Sequence, residues 1–208
     1  MQIWAQAPII NMSTKTVLYT VFTANTSSFS ENRRWEGSHA VMDAKKPDMI
    51  LKTLNAAGFE AYYVGGCVRD RLLGRRVHDW DITTSALPQQ VISLFSHCIP
   101  TGIRHGTVTV LLDGAQAEVT TFRAEGAYLD GRHPSEVRFV PRLEEDLARR
   151  DFTVNAMATD LRGTVYDPFD GQADLQEEIL RCVGDPERRF SEDALRILRC
   201  LRFAAVLG

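Results

Sequence analysis

The chain has 208 residues, 44% of them hydrophobic and 25% charged, which is ordinary for one globular domain with or without an appendage. Its net charge of −3 gives no general field for binding nucleic acid, so such binding needs local basic clusters. No apolar run reaches the roughly 18–20 residues that cross a bilayer. The four cysteines form no CxxC pair, which favours reduced, buried thiols in a cytoplasmic protein over a zinc site or disulfides.

Residues 1–41 differ in character from the rest of the chain. They are rich in Ser, Thr and Asn and show no amphipathic period. The apolar run Thr16–Ala24 faintly resembles a signal peptide, but it is short and contains threonines. We expect a disordered leader or an over-extended start here, with the regular part opening at Met42.

From residue 47 onward, helical and strand patterns alternate. The first helix is predicted at Pro47–Ala57, where apolar side chains recur at helical spacing until Gly58 ends the pattern. Strands are predicted next at Ala61–Val64 and Trp80–Thr83, and helices at Cys67–Leu73 and Gln89–Phe95. Gly65-Gly66 forms a turn between the first of these strands and the helix that follows it.

Two alternating segments then flank Asp113-Gly114, which is typical of a β-hairpin. The two strands are predicted at Thr107–Leu112 and Ala117–Phe122. A polar loop follows at Arg123–Ser135, and a third strand at Val137–Val140. Two helices are then predicted, at Leu143–Arg149 and Asp174–Leu180. Ser191 is expected to cap a final helix. The pattern predicts an α/β or α+β domain built on a sheet, with a helical segment starting near residue 175.

Asp79 and Asp81 flank Trp80 at the start of the second strand. Side chains at positions i and i+2 of a strand point to the same face, so the two carboxylates are predicted to lie close together. At about 4 Å and an effective dielectric constant of about 20, their repulsion is of order 4 kcal/mol. Two Mg²⁺ ions would remove this repulsion and serve phosphoryl transfer. A pair of solvated aspartates at a strand end is the alternative.

A glycine turn, GGCVRD at 65–70, lies shortly before this pair. Paired glycines between a strand and a helix let backbone N–H groups approach phosphate oxygens, and Arg69 adds a forked donor. A plain tight turn is the alternative. Glu118 lies on a separate predicted strand. If that strand is an antiparallel neighbour of the aspartate strand, Glu118 could face the aspartates as a third carboxylate. An exposed strand glutamate is the alternative.

Together with later segments, these features resemble the class II tRNA nucleotidyltransferase and bacterial poly(A) polymerase family, of the polymerase-β-like nucleotidyltransferase superfamily. Six ordered motifs carry the resemblance: GGCVRD (65–70), HDWDITTSA (78–86), EVTTFR (118–123), RRDFTVNAMA (149–158), DPFDGQADL (167–175) and SEDALRILRCLRF (191–203). It implies a head domain over residues 42–175, with a small mixed sheet flanked by helices. The start of a helical neck is implied over residues 176–208.

The resemblance also implies roles for individual residues. Asp79 and Asp81 correspond to the ligands of two Mg²⁺ ions, with Glu118 as a third catalytic carboxylate. The positions that correspond to nucleotide contacts are Gly65, Gly66, Arg69, Arg150, Asp151, Asp193, Arg196, Arg199 and Arg202. Among these, Arg150 and Asp151 match the motif that reads ribose and phosphates. A pair that only closes a helix–strand junction is the alternative.

Asp193 and Arg196 are three residues apart, so on one helix they would share a face. The pair offers one acceptor and one forked donor. Cytosine and adenine each present an amino donor beside a ring-nitrogen acceptor, whereas uracil and guanine present the opposite order. This pair would therefore select CTP and ATP without a template, because mispaired buried polar groups are costly. A surface ion pair is the alternative.

The resemblance implies addition of CMP and AMP, from CTP and ATP, to the 3′ end of tRNA (CCA addition), with release of pyrophosphate. Arg123–Ser135 is similar to the flexible loop implicated in the switch from CTP to ATP. Three alternatives remain: a poly(A) polymerase, an enzyme that adds only CC or only A, and a non-catalytic nucleotide- or RNA-binding fragment.

Family members continue into helical regions that grip the tRNA acceptor arm, whereas this sequence stops early in the neck. We therefore expect a fragment, or a chain completed by a second polypeptide. On this basis the isolated chain should bind Mg²⁺ and nucleotide but add CCA to tRNA poorly.

Overall fold

The computed structural model describes residues 45–126 and 135–207. The helices in these ranges are α1 (Lys45–Ala56), α2 (Gly66–Leu72), α3 (Pro88–Leu94), α4 (Leu143–Ala148), α5 (Gly171–Gln176), α6 (Pro186–Glu192) and α7 (Leu195–Leu207). The strands are β1 (Ala61–Val64), β2 (Asp81–Thr84), β3 (Cys98–Gly102), β4 (Thr107–Leu112), β5 (Ala115–Thr121), β6 (Arg123–Glu125), β7 (Val137–Phe139), β8 (Ala158–Thr159) and β9 (Val165–Tyr166).

Most of these strands form one mixed sheet in the order β3-β4-β5-β2-β1-β8-β9. Neighbouring strands are antiparallel throughout it, apart from the parallel pair β2 and β5. Strands β6 and β7 form a separate antiparallel ribbon. The predicted α/β class, with a small mixed sheet flanked by helices, is confirmed.

The prediction that Glu118 lies on a strand antiparallel to the aspartate strand is wrong. Strand β5 runs parallel to β2, and Asp81 aligns with Glu118. The reason is the connection: the chain leaves β2 through α3 and returns by way of the β3–β4 hairpin, which is the crossover that a parallel pair needs. Aligned positions on neighbouring strands share a face, so Glu118 still lies on the Asp81 side of the sheet.

The opposite face of β2 and β5 is apolar and forms the main core. Ile82 and Val119 are aligned on neighbouring strands and buried. They pack with the buried stripe of α1, formed by Ile50, Leu51 and Leu54. Because this face is filled by α1 and α3, the charged side chains at the start of β2 are left on the other face.

The sequence predictions miss five of these strands and helices: β3, β6, β8, β9 and α6. Strands β8 and β9 have two residues each, too few to show a period, and β3 contains Pro100 and has little burial. Helix α6 buries no residue, so it lacks an apolar stripe. Ser191 lies inside α6, where its hydroxyl donates to the Glu187 carbonyl, so the prediction that it caps the last helix is wrong.

Part of the predicted loop Arg123–Ser135 is a strand, since Arg123–Glu125 pairs with Val137–Phe139. Residues 127–134, which carry most of the similarity to a flexible loop, lie outside the described residues, as does the predicted leader at 1–41. The helix predicted at Asp174–Leu180 is observed earlier, as α5.

Within the described ranges, no helix has the length and apolar character needed to cross a membrane. All four cysteines are free thiols. Cys67 and Cys182 are buried, whereas Cys98 and Cys200 are only partly so, and the predicted burial therefore applies to two of the four.

Candidate functional site

The turn between β1 and α2 is formed by Gly65, whose backbone has φ 76° and ψ −133°. This conformation is essentially restricted to glycine. The Gly65 N–H donates to the Met157 carbonyl at 3.2 Å, and its own carbonyl accepts from the N–H groups of Val68 and Arg69. The turn is therefore held in place by β1, α2 and the segment before β8.

Asp81 is the first residue of β2 and lies beside this turn. A Cβ atom added to Gly65 would be 3.9 Å from its Oδ2. Asp79 precedes the strand and is exposed, so the strand argument for a shared face does not apply to it. Glu118 is also exposed. Both of these carboxylates act electrostatically on Asp81, which places the three negative charges near one another.

The pKa of Asp81 is raised above its ordinary value. Burial is the largest cause, Arg150 opposes it, and the negative charges of Glu118 and Asp79 raise the pKa further. The Asp81 carboxylate accepts no hydrogen bond from any residue that the structure describes. A partly buried carboxylate in this state fits a hard divalent cation, which binds oxygen ligands and offsets negative charge.

A complete set of metal ligands is not preformed in the described part of the chain, where no group of three or more His, Cys, Asp or Glu side chains is arranged to hold a metal ion. The assignment of Asp79 and Asp81 as a ligand pair therefore stays a prediction. Its support is the charge and burial of Asp81.

Arg150 lies between the glycine turn and Asp81. Its Nη1 would be 3.1 Å from a Cβ atom on Gly65, and its Nη2 donates to Asp146 Oδ2 at 3.2 Å. Its Nε is buried and has no hydrogen-bond partner among the described residues. A buried donor left without a partner costs about 1–3 kcal/mol. Arg150 is thus a counter-ion of Asp81 with donor capacity left for an anionic ligand.

A row of hydrogen bonds connects α2 to α7 across the site. Arg69 Nη1 donates to Asn155 Oδ1 at 2.7 Å, while its Nε donates to Asp70. Asn155 Nδ2 lies 3.5 Å from Asp151 Oδ1, and Asp151 Oδ2 accepts from Arg199 Nε at 2.7 Å. The row links three predicted nucleotide contacts, Arg69, Asp151 and Arg199, through Asn155.

The prediction that Asp193 and Arg196 share the face of one helix is wrong. Helix α6 ends before Asp193, whose backbone is extended, and α7 begins at Leu195. The Asp193 Oδ1 accepts a hydrogen bond from the Leu195 N–H at 2.9 Å, so this side chain caps the next helix instead of continuing the first. The two residues nevertheless line the same cavity.

Glu192 holds the Arg196 guanidinium in place. Arg196 is 5% exposed, and its Nη1 donates to Glu192 Oε2 at 2.8 Å and to the Arg189 carbonyl at 2.9 Å. The same carboxylate pairs with Arg188 and Arg189. Although the pKa of Glu192 tends to rise with burial, these arginines outweigh that effect and hold it below its ordinary value.

The buried ring of Phe203 is surrounded by cations. The guanidinium carbons of Arg69, Arg199 and Arg202 lie 5.2, 5.3 and 4.9 Å from its centroid, within the range of cation–π attraction. Arg199 and Arg202 lie on α7 with Arg196, as the predicted basic stripe requires. The ring therefore gives an apolar support to arginines from two different helices.

One cavity of about 400 Å³ joins these features, a size suited to a small-molecule ligand. Ten predicted site residues line it: Gly65, Gly66, Arg69, Asp81, Arg150, Asp151, Asp193, Arg196, Arg199 and Arg202. Four lining residues were not predicted: Glu125, Arg149, Asn155 and Phe203. Asp79 and Glu118 are not among the lining residues.

The cavity is cationic although the whole chain is not. Six arginines and four carboxylates line it, a balance of two positive charges, against a net charge of −3 for the chain. The local basic cluster that nucleic-acid or nucleotide binding requires is therefore present. Arg149 and Asn155 lie in the RRDFTVNAMA motif, which was the available sequence signal for them.

The Gly65 turn can be tested with a matched pair of glycine variants. Gly65→Ala should lower the stability by about 1–3 kcal/mol, because alanine is strained at this backbone conformation. If the chain binds CTP, as the family resemblance implies, the variant should also lower that affinity roughly tenfold, since the new Cβ displaces Arg150, whose charge-assisted bonds are worth about 1.5–3 kcal/mol. Thermal unfolding and isothermal titration with CTP measure the two effects.

Gly74→Ala is the control, because Gly74 also has a positive φ (66°) but a Cβ there meets nothing within 4 Å. It should cost stability and leave CTP affinity unchanged. Equal loss of affinity in both variants would show that Gly65 acts only through stability.

Comparison with known proteins gives a consistent set of relatives. A family model described as the poly A polymerase head domain matches residues 61–181. A CCA-adding enzyme from Lactobacillus helveticus (strain DPC 4571) is 60% identical over 158 residues, which is 76% of this chain and 40% of that enzyme.

Solved structures agree with this relationship. The crystal structure of the Bacillus stearothermophilus CCA-adding enzyme in complex with CTP is similar at a TM-score of 0.72 and 47% identity, covering 78% of this chain and 39% of that chain. A tRNA nucleotidyltransferase complexed with a primer tRNA and an incoming ATP analog is similar at a TM-score of 0.59 and 34% identity, covering 75% and 44%. The chain thus spans about two fifths of the length of the relatives that it matches.

Proposed function

The chain belongs to the family of the poly A polymerase head domain, and on this premise we propose that it is the catalytic head of a CCA-adding tRNA nucleotidyltransferase. Such a head transfers CMP and AMP from CTP and ATP to the 3′ end of tRNA, without a template, and releases pyrophosphate. The observation that carries the proposal is the cationic cavity in which the Asp81 carboxylate meets the glycine turn and the arginines of α7.

In this proposal Asp79 and Asp81 hold two Mg²⁺ ions, and Glu118 is a third catalytic carboxylate beside them. The raised pKa of Asp81, caused by its burial and then by the two neighbouring charges, supports a cation at this position. When bound, the ions supply activation of the attacking 3′ hydroxyl and charge neutralisation on the pyrophosphate.

The triphosphate is assigned to the Gly65-Gly66 turn together with Arg69 and Arg150. Guanidinium groups bind phosphate oxygens with forked, charge-assisted hydrogen bonds. Arg150 supports this role most directly. It lines the cavity, and its buried Nε has no hydrogen-bond partner among the described residues.

The ribose is assigned to Asp151. A carboxylate accepts a hydrogen bond from a 2′-hydroxyl and so favours ribonucleotides over deoxyribonucleotides. Its oxygens are already oriented by Arg199 and by the Phe152 N–H, which fixes the acceptor before the sugar arrives.

The base is assigned to Asp193 and Arg196, with Arg199 and Arg202 as further arginines along the nucleotide. Asp193 would accept from the amino group of cytosine or adenine, and Arg196 would donate to the adjacent ring nitrogen. Asp193 lies in the link between α6 and α7 and Arg196 lies in the first turn of α7, and this pairing stays available because both residues line the cavity.

The polynucleotide partner in the proposal is the 3′ end of tRNA, as in the relative solved with a primer tRNA. Four points stay predictions. They are a head over residues 42–175, the start of a helical neck over 176–208, a second chain that carries the helical body, and a cytoplasmic location. Helix α7, which belongs to the predicted neck, contacts the predicted head through the rings of Phe203 and Phe152, which lie 5.7 Å apart.

The decisive experiment uses a tRNA transcript that lacks its 3′ CCA, Mg²⁺ and all four nucleotides, followed by sequencing of the 3′ ends. Two cytidines and one adenosine are the expected product, formed at low yield because the isolated chain is expected to add CCA to tRNA poorly. A long run of A would indicate a poly(A) polymerase, and CC or A alone a partial enzyme. No transfer and no CTP binding would contradict the proposal and favour a non-catalytic fragment.

A further inference from the structure

Asp146, in α4, is a buried carboxylate at the centre of a charged cluster, and its side chain is 0% exposed. Its Oδ1 accepts from the Arg123 N–H at 3.2 Å and from Arg149 Nη2 at 2.9 Å. Its Oδ2 accepts from Thr83 Oγ1 at 3.1 Å and from Arg150 Nη2 at 3.2 Å. One side chain therefore joins β2, β6 and the two arginines that follow α4.

The cluster carries more positive than negative charge. Three guanidinium groups, of Arg123, Arg149 and Arg150, surround the carboxylates of Asp146 and Glu125. Three positive and two negative charges leave one positive charge. Burial alone would raise the pKa of Asp146, but Arg149 and Arg150 hold it below its ordinary value, so the side chain is a stable anion.

The contacts of Asp146 determine where Arg150 lies. Thr83 is two residues after Asp81 on β2, so Asp146 is fixed to the same face of the strand that carries Asp81. With Nη2 held by Asp146, the Nη1 of Arg150 lies against the Gly65 turn, and its Nε has no partner in the described part of the chain.

We infer that Asp146 is a positioning residue for the triphosphate, acting through Arg150. This inference rests on the proposed function. Asp146 does not line the cavity. It holds the Arg150 guanidinium so that the remaining donors face the phosphates, and an asparagine of equal size would remove the charge that holds it.

The test is a double-mutant cycle in nucleotide affinity. Asp146→Asn, Arg150→Ala and the double variant are titrated with CMP, CDP and CTP in the presence of Mg²⁺. Asp146→Asn should lower CTP affinity about tenfold, the loss of one charge-assisted contact, and leave CMP affinity unchanged. In the Arg150→Ala background the same substitution should have no further effect, since residues that act through one contact are not additive.

Asp174→Asn is the matched control. Asp174 is also buried, but its partners Thr153 and Arg181 do not line the cavity, whereas Asp146 holds Arg150, which does, so substitution of Asp174 should cost stability only. If Asp146→Asn does not fold, Thr83→Val removes one hydrogen bond to the same carboxylate and should give a smaller loss for CTP alone.

An equal loss for CMP and CTP, or a further loss in the Arg150→Ala background, would show a purely structural role and overturn the inference. Failure of the unsubstituted chain to bind CTP would instead contradict the proposed function, on which the inference depends.

Discussion

Asp81→Asn should strongly reduce nucleotide transfer and, in a chelator, make the protein more stable. Loss of a metal ligand removes several kcal/mol of transition-state stabilisation, so we expect transfer to fall about a thousandfold, equivalent to about 4 kcal/mol. The assay is single-turnover transfer of labelled CMP to tRNA lacking its 3′ CCA, with enzyme in excess.

The stability gain follows from the direction of the pKa shift. The pKa of Asp81 is raised by burial first and then by Glu118 and Asp79, so the ionised form is disfavoured in the fold. This penalty is absent below the ordinary aspartate pKa and is complete once the pH exceeds the raised value. In a chelator at neutral pH, the asparagine variant should therefore unfold at a higher temperature, and added Mg²⁺ should stabilise only the unsubstituted chain.

Asp113→Asn is the matched control, since Asp113 is an exposed aspartate at the β4–β5 turn with φ 49°, where asparagine is well tolerated. It should change neither transfer nor the effect of Mg²⁺. Unchanged transfer by the Asp81 variant would contradict the catalytic assignment.

Asp193→Ala should remove most of the discrimination between the accepted and the rejected nucleotides. We expect CTP and ATP to lose about ten- to a hundredfold in affinity, because the amino group of each base loses its acceptor. UTP and GTP present a carbonyl at that position, so removing the carboxylate should leave their affinity unchanged or increase it. Titration with all four nucleotides measures the ratio.

Asp185→Ala separates recognition from helix capping. Asp185 caps α6 by accepting from the Arg188 N–H at 2.8 Å, much as Asp193 caps α7, but it does not line the cavity. Both substitutions should cost about 1 kcal/mol of stability. A change of base selectivity in the Asp185 variant, or none in the Asp193 variant, would contradict the assignment.

The elements that local pattern determines were predictable. The turn at Gly65, strand β1 and the hairpin around Asp113 lie where glycine placement and alternation put them. Ten predicted site residues also line one cavity, and they were found through the motifs that carry the family resemblance rather than through local periodicity.

What could not be predicted depends on tertiary contacts. Whether β5 runs parallel or antiparallel to β2 is decided by the crossover between them, not by either segment. Asp193 satisfies the helical spacing with Arg196, yet its carboxylate caps α7, and the chain turns there. Phe203 has the pattern of a core residue, and only the packing of α2 against α7 reveals that it supports three arginines.

The most direct measurement is a crystal structure of the chain with CTP and Mn²⁺, read from the anomalous signal of the metal. We expect a metal peak at the carboxylates of Asp79 and Asp81, a triphosphate against Gly65 and Arg150, and cytosine at Asp193. A metal peak away from these carboxylates, or a triphosphate bound outside the cavity, would contradict this expectation.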